Sequence, residues 1–228
     1  MNYQDISNWK TKYLKDEMNY YNLKARRSRD DMIKDILEAK NASYVRGDQL
    51  GDPGKDAVTY EVNRKYALKQ YKPRKSSVNI IKEAELQERL AEFKVCPKVI
   101  DVDVERKYIL MDKLDKHLFD VHSEKSMSLD HQKQLVKLYD RMDSVGIFHG
   151  DANPLNYMTK GKKLYVIDFG MSKEITPKLI KTLNTATPNR HIMTVGMILK
   201  MKSMDFPPKS YEYLLTVIRP EDRKSTGL

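Results

Sequence analysis

The sequence predicts an α+β chain, because strand-like and helix-like patterns follow one another along it. Residues 57–63 alternate in polarity, with Val58, Tyr60 and Val62 on one side, as on a half-buried strand. Tyr108 to Met111 is a short apolar run of the kind that forms a buried strand. Apolar residues recur at helical spacing over about 76–93 and again over about 129–144. The 228 residues are enough for one catalytic unit with a real core.

The first forty residues read as a helical extension. Trp9, Tyr13, Leu14, Met18 and Tyr21 repeat at helical spacing. Ser28-Arg-Asp-Asp31 has the form of a capping box, opening a second helix with Met32, Ile33, Ile36 and Leu37 as its apolar face. These faces must be buried, and the expected cover is the sheet-rich region that follows, near the helix carrying Glu83. A strand over residues 64–71 places Leu68 beside Lys69. In the next helix Leu86, Leu90 and Phe93 fall on one face; Glu83 shares that inward face, whereas Glu85 and Glu88 point elsewhere. The helix from about Leu129 to Ser144 carries Leu135, Leu138, Tyr139 and Met142 on one side and stops at Gly146. Residues 176–183 and 191–204 read as helices, and a last helix spans 210–217.

Residues 149–170 carry the chemistry. They read His149-Gly150-Asp151-Ala-Asn-Pro-Leu-Asn156, then Leu164-Tyr-Val-Ile-Asp168-Phe169-Gly170. An Asp and an Asn five apart, followed by Asp-Phe-Gly at the end of an apolar strand, form the set that phosphoryl transfer from a nucleotide needs. Asp151 can accept a hydroxyl proton, and Asn156 and Asp168 offer hard oxygens to Mg2+. The motif resembles the catalytic loop of the protein-kinase-like superfamily, His-x-Asp-x-x-x-x-Asn, at all three fixed positions. His-Gly-Asp is closest in pattern to the small atypical kinases, the RIO family and the kinase of the KEOPS complex, and is shared by aminoglycoside phosphotransferases. Typical regulated kinases have Arg where Gly150 stands, so the resemblance implies no dependence on a phosphorylated activation loop. Typical Ser/Thr kinases also have Lys two residues after the catalytic Asp; here Asn153 stands there, which puts fast general protein phosphorylation in doubt.

The resemblance implies a two-lobed protein-kinase-like fold, with the extension at 1–40, a small lobe at 41–111, and a hinge and reduced large lobe at 112–228. Tyr66-Ala-Leu-Lys69 resembles the Val-Ala-Ile-Lys strand, which would give Lys69 the nucleotide phosphates and Glu83 the role of its ion-pair partner. Gly54-Lys-Asp-Ala-Val-Thr-Tyr60 resembles a RIO segment over the phosphates. Gly51 and Gly54 then let backbone N–H groups approach phosphate, or else they build a tight surface turn on Asp-Pro-Gly. By position Met111 backs the adenine pocket, and Asp112 to Leu114 form the hinge. The cofactors implied are ATP and Mg2+, and the acceptor is a Ser/Thr hydroxyl of a protein substrate or of the chain itself. A small-molecule phosphotransferase is the second reading, and the short region beyond Gly170 counts against it. A nucleotide-binding pseudokinase that docks a partner is the third, and the completeness of Lys69, Glu83, Asp151, Asn156 and Asp168 argues against that.

The net charge is +10, which favours anionic partners, RNA among them, or reflects only a Lys-rich solvated surface; clusters lie at 24–29 and 72–75. The lone Cys96 cannot form an internal disulfide and reads as a small core residue. With no apolar run long enough for a bilayer and no signal-peptide pattern, a cytoplasmic protein is expected.

Overall fold

A computed structural model describes residues 8, 10–24, 28–119 and 126–227; Trp9 and residues 25–27 of the first basic cluster lie outside them. Contacts divide the chain into two units, residues 1–81 with 99–113, and residues 82–98 with 114–228. Both mix helices and strands, as the α+β expectation requires.

The first unit opens with helices α1 (Thr11–Tyr20) and α2 (Arg29–Ala42). Ser28 caps α2, its hydroxyl accepting from the Asp31 N–H at 3.4 Å, as the capping pattern predicts. Leu14, Met18, Met32, Ile33 and Ile36 are buried together as a small core of their own. Tyr13 departs from the expected stripe and is exposed: one position before Leu14, it lies off the face that meets α2.

The sheet of this unit contains β1 (Arg46–Gln49), β2 (Ala57–Val62), β3 (Tyr66–Tyr71), β4 (Val99–Asp103) and β5 (Tyr108–Asp112). Its order is β1-β2-β3-β5-β4, with every pair antiparallel. Val62, Leu68, Tyr108 and Leu110 pack on one face, with Tyr44, Tyr60 and Tyr66 around them. Period-two alternation therefore sends Lys69 to the other face, opposite Thr59 on β2 and Ile109 on β5. The end of α2 is tied to β4 and β5. Lys40 pairs with buried Asp101 at 2.8 Å, and Asp101 also accepts from the hydroxyls of Tyr108 at 3.0 Å and Tyr44 at 3.2 Å. The Tyr108 hydroxyl also lies against the Asn41 side-chain oxygen, so its one proton is shared between Asp101 and Asn41. The extension thus meets the β4–β5 side of the sheet through these bonds, so the sheet-rich region covers it as expected.

Helix α3 (Ser77–Ala91) runs from the first unit into the second. Glu83, Leu86 and Leu90 are buried, and Glu85 and Glu88 are exposed, as the periodicity predicts. Phe93 is the exception, at 50 % exposed. The helix has ended by then and Lys94 takes a left-handed φ of 58°, so the chain turns and Val95 and Cys96 enter the core instead. The Cys96 thiol donates to the Gln87 carbonyl, and burial pushes its pKa well up, as suits a core residue.

The second unit is built on α4 (Leu129–Val145), capped by Ser128 and ended by left-handed Gly146. Leu135, Val136, Leu138, Tyr139 and Met142 form the centre of its core. The strand pair β7 (Ile147–Phe148) and β10 (Lys173–Glu174) and the three-stranded sheet of β6 (Lys116–His117), β8 (Tyr157–Lys160) and β9 (Lys163–Val166) frame the loop between β7 and β8. Helices α5 (Pro177–Leu183), α6 (Thr194–Ser203), α7 (Glu212–Val217) and α8 (Pro220–Thr226) follow. A π-helical turn, Asn189–Met193, precedes α6, and a 3-10 turn, Pro208–Ser210, precedes α7. Helix α8 lies beyond the helix expected to be last. Buried Gln132 joins α4 to this C-terminal part, donating to the Met127 and Lys209 carbonyls and accepting from the Tyr213 N–H. Among the described residues no helix is long and apolar enough to cross a membrane.

Candidate active site

The loop from His149 to Asn156 is held by buried polar bonds and by a 3-10 turn at its end, Pro154–Asn156. His149 is fully buried between two backbone segments. Its Nε2 donates to the Ile167 carbonyl at 3.1 Å, while its Nδ1 lies 3.1 Å from the Asp151 carbonyl oxygen and 3.4 Å from the Asp151 nitrogen. Burial holds the imidazole below its ordinary 6.5, against the opposing pull of the Ile167 carbonyl and the Asp151 and Asp168 charges. The ring meets Phe169 edge-on at 5.3 Å. Gly150 has φ +81°, and a Cβ there would approach the Met171 carbonyl oxygen to 3.0 Å. A side chain would therefore separate the loop from the turn after Asp-Phe-Gly. The Ser172 hydroxyl closes the same contact by donating to the His149 carbonyl at 3.1 Å.

The three expected chemical groups of the second unit meet here. Asn156, buried, donates from Nδ2 to Asp151 Oδ2 at 2.8 Å. That bond fixes the Asp151 carboxylate and leaves the Asn156 amide oxygen as its ligating atom. Ile167 couples this pair to Asp168: its N–H donates to the Asn156 carbonyl at 2.9 Å and its own carbonyl receives the His149 proton. Asp168 is exposed at a left-handed φ of 66°, its Oδ1 accepting from the Gly170 N–H at 3.3 Å. Asn153 caps the 3-10 turn Pro154–Asn156, its Oδ1 accepting from the Leu155 N–H at 3.1 Å. Its oxygen is thus engaged in holding the loop.

For Mg2+ the fit is that of a cation shared with substrate. No group of three or more His, Cys, Asp or Glu side chains suited to a metal occurs among the described residues. One exposed carboxylate and one amide oxygen are what Mg2+ uses when phosphates and water complete its shell.

In the first unit, Lys69 sits mid-strand with its ammonium 5.5 Å from the Tyr71 ring centre. Met111 is buried and Asp112 half-buried at the end of β5, next to β3. Gly51 and Gly54 are exposed in the connection between β1 and β2. Gly51 has φ +69°, and the Gly54 carbonyl accepts from Lys72 Nζ at 2.8 Å. Glu83, 3 % exposed, and buried Leu114 belong by their contacts to the second unit.

One group was not legible as functional. Asn189, fully buried, donates from Nδ2 to Asp143 Oδ1 and to the Ile147 carbonyl, both at 2.7 Å, and its Oδ1 accepts from the His149 N–H at 3.0 Å. Asp143 also accepts from the backbone N–H groups of Asn189 and Arg190, both at 2.9 Å. The network pins the loop's first residue to α4 and to the π-turn. Asn189→Ala should cost about 3 kcal/mol, because it strands several buried partners at once. Chemical denaturation of the variant checks this, with the parent as reference.

Comparison with known proteins gives the family. The RIO domain matches residues 54–183, more than half of the chain and all of the stretch from Gly54 through Asp168. The chain belongs to the RIO domain family, and its fold is that of an atypical protein kinase. A probable serine/threonine-protein kinase BUD32 homolog of Archaeoglobus fulgidus is 30 % identical over 77 residues, covering 33 % of this chain and 37 % of the relative. The chain thus matches little more than a third of that relative's length.

Proposed function

We propose that this protein is an ATP-dependent phosphotransferase of the serine/threonine kinase type, with ATP hydrolysis as its activity when no acceptor is present. What supports the reading most is the bond from Asn156 to Asp151, made in a loop coupled through Ile167 to Asp168. It aligns a proton acceptor beside two oxygen ligands. Bound Mg2+ would supply charge neutralisation at the phosphates, held by Asn156 and Asp168. Asp151 would orient a Ser or Thr hydroxyl and take its proton as the oxygen bonds to the γ-phosphorus and ADP leaves. Lys69, steadied by Glu83, would hold the nucleotide phosphates under the Gly51–Gly54 connection, with Met111, Asp112 and Leu114 at the adenine. The acceptor is a protein or the chain itself. The positive charge speeds encounter with anionic partners, RNA included. Asn153 brings no cation to the transferring phosphate, so turnover should be slow.

Calorimetric titration with ATP tests the nucleotide half of this reading. Binding that requires Mg2+ is the expected result; an affinity indifferent to Mg2+, or no binding, would overturn it.

A further inference from the structure

Beside Asp151, within the second unit, lies an open depression of about 410 Å³ that the motif residues do not account for. Asp151, Ala152 and Asn153 of the loop form one side, and Gly196, Leu199 and Lys200 of α6 form the other. Helix α6 comes this close because residue 196 is Gly: a Cβ there would stand 2.7 Å from the Ala152 Cβ. Lys200 follows Gly196 by one helical turn and so faces the same side. It is exposed, and among the described residues its ammonium makes no hydrogen bond or ion pair. Leu199, 39 % exposed, adds an apolar patch to the rim.

We propose that this depression receives the acceptor polypeptide, and that Lys200 selects an acidic side chain close in sequence to the Ser or Thr being phosphorylated. The inference rests on the kinase reading above and names its substrate class. Charge complementarity carries it: the acceptor hydroxyl must reach Asp151, and the same depression presents an uncommitted cation. A Lys in the last turn of a helix is also at home there for its effect on the helix dipole. Lys202 shares that turn but does not line the depression, so it separates the two roles.

The test uses the full chain and two fluorescent Ser peptides, one flanked by Asp and Glu and one by Lys and Arg. Anisotropy gives their affinities, and transfer from γ-labelled ATP gives kcat and KM. The parent should favour the acidic peptide by about tenfold in affinity and KM, a charge contact of about 1.4 kcal/mol. Lys200→Glu should invert that preference, Lys200→Met should remove it, and Lys202→Glu should leave it as in the parent. Equal binding of both peptides by the parent would overturn the inference, as would equal effects of Lys200→Glu and Lys202→Glu. Lys200-dependent binding of the acidic peptide without any transfer would leave the docking site standing and overturn the kinase reading instead.

Discussion

Asp151→Ala should transfer phosphate at least ~100-fold more slowly than the parent while binding ATP almost as tightly, the low end for loss of a general base. The asymmetry follows from where Asp151 is held. Its carboxylate is fixed by Asn156, and its place in the motif points it at the acceptor rather than at the nucleotide. A group that acts mainly in the transition state lowers turnover far more than ground-state binding. Asp151→Asn, which preserves the bond to Asn156, should be as slow as Asp151→Ala and melt with the parent. Paired calorimetry and single-turnover assays read both quantities. Equal rates in parent and variant would remove Asp151 from the chemistry while leaving the fold intact.

Asp168→Ala should abolish the Mg2+ dependence of ATP binding, so that affinity becomes the same with and without the cation. Asp168 is the exposed carboxylate of the site, and the neutral amide of Asn156 cannot hold a divalent ion alone. Its left-handed backbone strains Ala more than Asn, which tolerates that region. Asp168→Asn is therefore the control for folding, and it too should lose Mg2+ dependence, since it keeps the shape and drops the charge. Calorimetry of the three proteins decides this. ATP affinity that still responds fully to Mg2+ in both variants would contradict the metal assignment.

These two residues were legible because the motif fixes residue types at set spacing. The core of α4 was legible for a related reason: Leu135, Leu138, Tyr139 and Met142 repeat with the helical period and are all buried. Periodicity fails at helix ends. Phe93 continued the stripe of α3 on paper, but the left-handed turn at Lys94 hands its place to Val95 and Cys96. Helix α8 was missed because it has no apolar stripe; its signals are Pro220 at the first turn, Glu221 and Asp222 beside it, and Gly227 at its end. Asn189 left no sequence signal, since its importance comes from Asp143, forty-six residues earlier, and His149, forty earlier. Long-range polar networks of this kind have no period and no motif. The same holds for Gly196, which acts through its closeness to Ala152.

The most direct test of the central claim is incubation of the purified 228-residue chain with γ-labelled ATP, with and without Mg2+. ADP formation and transfer of label to protein Ser or Thr are both followed. Release of ADP and labelled phosphoprotein should require Mg2+, and both should vanish in Asp151→Ala. ATP that binds yet undergoes neither hydrolysis, autophosphorylation nor transfer to any acceptor would contradict the account and make the protein a nucleotide-binding docking module.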